Sequence, residues 1–174
     1  RRYWLYYALT FLMGTRRHIF TTFAIFMLVE VHHLDTSQTA MLFLVNSVVS
    51  FVALPQIGRL VGRFGERTML TANFVLLIGI FFGYATVDEP LVLIGLFVFD
   101  NMLFGVSLAL NSYFQKIALV PQDITPNMSM GQSINHIAAV IIPIVGGWMW
   151  VTFDPAMPFL GGVFVAAISL VLLQ

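Results

Sequence analysis

Two adjacent guanidinium groups, Arg16 and Arg17, stand inside a stretch from Tyr3 to Val31 that is otherwise almost wholly apolar or aromatic. A guanidinium paired with a carboxylate is neutralised; an unpaired one is a fixed cation that grips a carboxylate or phosphate through two parallel N–H donors. Asp100 is the only carboxylate deep within the apolar stretches of the chain, Glu30 standing at the very end of the first. The sequence therefore predicts an ion pair between Asp100 and one of the two arginines, leaving the other for an anionic or polar substrate group. The alternative is a structural pair that joins two helices and touches no substrate. His18 and His136 are of the type that exchanges protons near neutral pH, which would suit coupling to a proton gradient; a buried histidine that only hydrogen-bonds is the competing reading.

Spacing gathers more polar groups onto common faces. Asp100, Ser107, Asn111 and Gln115 recur at intervals of seven, four and four, and Thr10, Gly14, Arg17 and Thr21 do much the same on the first stretch. Gln132 and His136 repeat the four-residue step, with Asn135 beside them and Asn46 and Asn101 on other segments. Arg16, Arg17, His18, Asn46, Asp100, Asn101, Ser107, Asn111, Gln132, Asn135 and His136 are thus candidates for lining one substrate or coupling-ion cavity. Interhelical hydrogen bonding without a ligand explains the small polar members equally well.

The elements that must carry these groups are membrane helices. The 174 residues are 59% hydrophobic and 9% charged, with a mean hydropathy of +0.92, far from the roughly one-quarter charged content of soluble domains. Six apolar segments lie between polar breaks, near Tyr3–Val31, Ser37–Ile57, Thr68–Thr86, Leu91–Leu119, Asn127–Val151 and Pro158–Leu173. Each is long enough to span, the last barely. The expected fold is all-α, a single six-helix transmembrane bundle over residues 1 to 174. Arg1, Arg2, Arg59, Arg63, Arg67 and Lys116 fall on one side of it, and Glu30, Asp35, Asp88, Glu89 and Asp154 on the other. That bias makes the basic side cytoplasmic, with both ends of the chain there and Tyr3, Trp4, Tyr6, Tyr7, Trp148 and Trp150 as interfacial belts. The third and sixth segments are nearly bare of polar groups and are expected at the periphery, with Gly79 and Gly83 forming a small-residue packing face. Zero net charge offers nothing to nucleic acid, and the absence of cysteine removes thiol chemistry. No cofactor is implied and no convergent metal ligands stand out.

Between the second and third segments the chain reads Gly58-Arg59-Leu60-Val61-Gly62-Arg63-Phe64-Gly65-Glu66-Arg67. This resembles the loop signature of the major facilitator superfamily. Gly58, Arg63, Gly65 and Arg67 match, whereas Gly62 replaces the acid and Glu66 the first of the final basic pair. Pro143 to Gly147 is similar to the Pro and Gly pattern of that family's eleventh helix. The resemblance implies the C-terminal six-helix half of a secondary active transporter, working by alternating access in a bacterial plasma (inner) membrane. Its partners would be a small-molecule substrate, a proton, the lipid bilayer and an N-terminal six-helix half, this chain being a piece of a longer protein. An intramembrane enzyme or a sensory scaffold built on the His and Asp cluster is the alternative class, although zinc-protease, serine-nucleophile and phosphate-loop motifs are lacking.

Overall fold

The computed structural model describes residues 3 to 174, the side chain of Leu108 excepted, and folds them into helices joined by short connections. Arg1 and Arg2, two of the charges counted above, lie outside the described residues. Helix α1 spans Trp4–Ile19 and continues through two π-helical turns, Phe20–Ala24 and Met27–Val31. The Thr21 hydroxyl donates to the Arg17 carbonyl at 2.9 Å where the pitch widens, the kind of back-bonding that disturbs a helical ladder. His33, at φ 55°, stops the rod, since a left-handed residue cannot continue a right-handed helix.

Helix α2, Thr36–Phe64, starts on a reciprocal cap. The Asp35 carboxylate accepts from the Gln38 N–H at 2.7 Å while the Gln38 side chain accepts from the Asp35 N–H at 3.0 Å. It ends at Gly65, whose φ of 82° suits glycine alone, and α3, Glu66–Thr86, begins at the next residue. The motif residues Gly58 and Arg63 therefore sit in the last turns of α2, so the expected loop between the second and third segments shrinks to one glycine. Arg67 donates to the Gln174 carbonyl, and Lys116 Nζ meets Glu66 Oε1 at 2.6 Å.

The fourth rod is composite. Helix α4, Pro90–Leu103, opens on proline, passes through a 3-10 turn at Phe104–Val106 and resumes as α5, Ser107–Ile117. At the turn the Ser107 hydroxyl donates to the Phe104 carbonyl at 2.7 Å, and Gly105 packs so closely on α2 that a Cβ would stand 2.9 Å from Leu54. Helices α6, Ile124–Thr152, and α7, Met157–Leu173, complete the chain.

The rods Thr36–Phe64, Glu66–Thr86, Pro90–Ile117 and Pro121–Thr152 are long and apolar enough to cross a membrane. An integral membrane protein fits these four. The first rod changes pitch midway, and α7, with 17 residues, covers about 25 Å, short of a ~30 Å hydrocarbon core.

Aromatic rings lock the acidic end of the bundle. Phe20 stacks on Phe97 (5.4 Å, 23°) and meets Tyr84 edge-on (5.4 Å, 81°), Tyr84 stacks on Phe159 (4.9 Å, 25°), and the Tyr84 hydroxyl donates to the Leu93 carbonyl at 2.7 Å. This cluster shows that the polar-poor α3 and α7, expected at the periphery, each turn one face into the bundle. In α3, 39% of the most apolar stretch is buried, against 11% in the rod that contains α6. Rings on α3 interlock with α7, where Gly162 admits Phe81 at a distance that would crowd a Cβ (2.8 Å), so apolar helices pack on each other. Only Gly83 of the expected small-residue face is used, against Leu96; Gly79 meets nothing. The aromatic belt is also thinner than expected. Tyr6 is enclosed against Phe114 (4.1 Å) and Tyr3 donates to Asp123 at 2.8 Å, which leaves Trp4 and Trp148 exposed.

Candidate functional site

Arg16 and Asp100 meet in the interior. Arg16 Nη2 donates to Asp100 Oδ1 at 2.8 Å, with side-chain exposures of 3% and 0%. An isolated charge at such depth is prohibitively costly, so α1 and α4 are bound together by the need to keep both partners. Arg16 Nε and Asp100 Oδ2 are buried without a hydrogen-bond partner among the described residues. The Phe104 ring, carried by the 3-10 turn, lies against the pair, 4.7 Å from Arg16 Cζ.

Arg17 takes the opposite course. One residue further on, its side chain is rotated by about 100°, is exposed, and stands with Cζ 5.6 Å from the same Phe104 ring. Among the described residues no carboxylate comes within 4 Å of it. It faces a cleft of about 490 Å³ between α1, α5 and α6. Thr10, Gly14 and Arg17 supply one wall, Ser107 and Asn111 a second, and Gln132 and Asn135 a third. The walls meet closely where glycine permits: a Cβ on Gly14 would stand 2.5 Å from Asn135 Oδ1, and one on Gly131 would stand 2.9 Å from the Tyr6 hydroxyl.

Of the residues singled out in the sequence, Arg16, Arg17, Ser107, Asn111, Gln132 and Asn135 line this cleft, and five do not. Asp100 points into the core instead of along the Ser107 face. The 3-10 turn between them advances about 120° per residue where an α-helix advances about 100°, which swings Ser107 from about 20° on one side of Asp100 to about 40° on the other and skews the stripe. Asn46 faces the seam between α2 and α4: it lies one turn beyond Phe43, whose ring meets Phe97 at 6.2 Å. It is buried with both amide atoms unpartnered among the described residues. Asn101 follows Asp100 away from the cleft, half-buried. His18, half-buried with Nε2 enclosed, and His136, exposed on α6, also lie off its lining. The sequence reading did not include Tyr6, Phe104, Thr125 or Ser129, which line the cleft. Tyr6 continues the Thr10, Gly14 stripe by one turn and Thr125, Ser129 and Gln132 form another, so helical spacing carried that signal; Phe104 joins through the 3-10 turn, which has no comparable signature.

This arrangement holds one neutralised charge pair, one accessible cation and several amides and hydroxyls around a cleft large enough for a small organic molecule. It can bind and orient a polar solute. No protein-family model matches the chain, and no curated protein sequence matches it.

Proposed function

We propose that the chain is one six-helix half of a secondary transporter of the major facilitator type, with its substrate site on the cleft between α1, α5 and α6. The observation that carries this reading is the division of labour between neighbouring arginines. Arg16 is consumed by Asp100 in the core, and Arg17 is held uncompensated at the cleft. A purely structural design would have no reason to hold a second cation without a partner inside an apolar rod.

Two further features support it. The rods containing α2 and α6 carry long exposed apolar faces, including Phe43, Val48 and Phe51 on one and Ile137, Val140 and Ile144 on the other. A second six-helix unit seated there would close the cleft from the open side and leave α3 and α7 outermost, as in a fold that rocks one bundle against another around a central site. The match at Gly58, Arg63, Gly65 and Arg67 points the same way. The test is uptake of a labelled solute panel into proteoliposomes. Saturable uptake by the gene product carrying this chain together with a second six-helix unit, and none by residues 1 to 174 alone, is the expected pair of results. Equal uptake by residues 1 to 174 as a monomer would contradict it.

A further inference from the structure

We infer that the cleft selects small organic monocarboxylates with an apolar body. The inference rests on the transporter reading only in taking the cleft as a substrate site. The first argument is charge. Arg17 is the one permanent cation presented to the cleft without a carboxylate partner among the described residues, because Arg16, at the back wall, is committed to Asp100. One uncompensated guanidinium balances one negative charge, which favours a monoanion over a phosphate dianion. Its planar fork matches a carboxylate with two parallel hydrogen bonds.

The second argument is hydrogen-bonding capacity. The side-chain amides of Asn111 and Gln132 stand on two walls of the cleft, and that of Asn135, beside His18, stands with Gln132. The Thr10 hydroxyl, on the same wall as Arg17, is buried without a partner. These groups supply donors around the fork and no formal negative charge, so the lining attracts an acceptor-rich anion, while a cation meets only neutral amide and hydroxyl oxygens beside a fixed positive charge. The third argument is the remaining lining. Tyr6, Met13, Phe104, Leu110 and Met128 give the cleft an apolar wall, with two aromatic rings, suited to a hydrocarbon or aryl body attached to the carboxylate. A volume of about 490 Å³ admits a molecule of benzoate size with room to turn.

The experiment is equilibrium dialysis of radiolabelled benzoate against the detergent-solubilised gene product, competed with benzamide, benzylamine and phenylphosphonate. No membrane gradient is needed, so binding is read independently of transport. The expected result is saturable benzoate binding at millimolar concentration or below, with benzamide and phenylphosphonate at least about tenfold weaker and benzylamine inactive, since loss of one charge-assisted contact corresponds to about a factor of ten or more. Arg17→Gln should weaken benzoate at least about tenfold and Arg17→Lys less, because an ammonium keeps the charge without the fork. Benzamide or benzylamine binding as well as benzoate overturns the inference, as does a monodisperse Arg17→Gln protein with unchanged benzoate affinity, or absence of saturable benzoate binding. The charge series on the unaltered protein stands even if a variant misfolds. Benzoate binding by a protein that takes up no solute leaves this inference standing and removes the transport reading; saturable uptake of neutral solutes alone does the reverse.

Discussion

Arg16 reaches Asp100 across 84 positions of sequence, Nη2 to Oδ1 at 2.8 Å, with both side chains enclosed. Breaking such a pair from one side strands a buried charge, at a cost of about 3 to 5 kcal/mol, whereas replacing both partners with neutral groups is often nearly neutral. Asp100→Asn alone should therefore lower the temperature at which the solubilised protein loses its monodisperse elution peak. Combining it with Arg16→Gln should recover most of that loss. A double variant as unstable as the single one would show that the pair is not what the two residues contribute.

Gly14 and Asn135 define the narrowest approach of α1 to α6 at the cleft. A methyl group at Gly14 would stand 2.5 Å from Asn135 Oδ1, and the obstacle is the end of a flexible amide, which can swing aside. Gly14→Ala should thus change thermal stability by no more than about 1 kcal/mol, the size of the Gly-to-Ala helix preference, while turning Asn135 out of position. Reduced benzoate binding with normal stability is the expected result, partly restored by Gly14→Ala with Asn135→Ser. A collapse of stability would mean that backbone, not amide, meets the new methyl.

Lys116 and Glu66 tie α5 to α3 at 2.6 Å, but the lysine side chain is 68% exposed. Water and salt weaken such a pair to about 0 to 1 kcal/mol. Lys116→Ala should leave the thermal unfolding midpoint almost unchanged at high salt. A large loss there would assign the pair a structural weight that its exposure does not support.

These 174 residues contain no cysteine, so single cysteines placed in the isolated segment report its topology without background. Under the six-span reading, Asp88→Cys and Asp154→Cys should react with a membrane-impermeant maleimide from one side of the membrane, and Arg63→Cys and Gln122→Cys only from the other. All four reacting from the same side would contradict that topology.

Much of this organisation was legible in the sequence because charge in an apolar span has few permitted outcomes. The ion pair to Asp100 and the assignment of Arg17 to a polar face followed from charge count and helical rotation. Ser107, Asn111, Gln132 and Asn135 were recovered for the same reason. Asp100 was drawn into the same cavity because a stripe was extrapolated through Phe104–Val106, where the 3-10 turn rotates the helix, and Asn46 was included for its polarity alone although it is buried on α2. The tight packing of α3 was not legible because polarity reports which faces need partners, not how closely apolar faces pack. Phe81 and Tyr84 are enclosed by other rings and small residues. The expected loop after Ile57 proved helical because Gly58 and Gly62 keep negative φ within the helix, and only Gly65, at φ 82°, takes the conformation that ends α2.

The central claim is that Arg17, and not the buried pair, engages a transported solute. The most direct measurement is the initial rate of solute uptake by the gene product that carries this chain, comparing Arg17→Gln with the Arg16→Gln, Asp100→Asn double variant at equal membrane expression. The account predicts that Arg17→Gln loses at least about 90% of the saturable rate, the tenfold effect of one charge-assisted contact, while the double variant retains a substantial part of it. Near-normal uptake by a well-expressed Arg17→Gln protein would contradict the account.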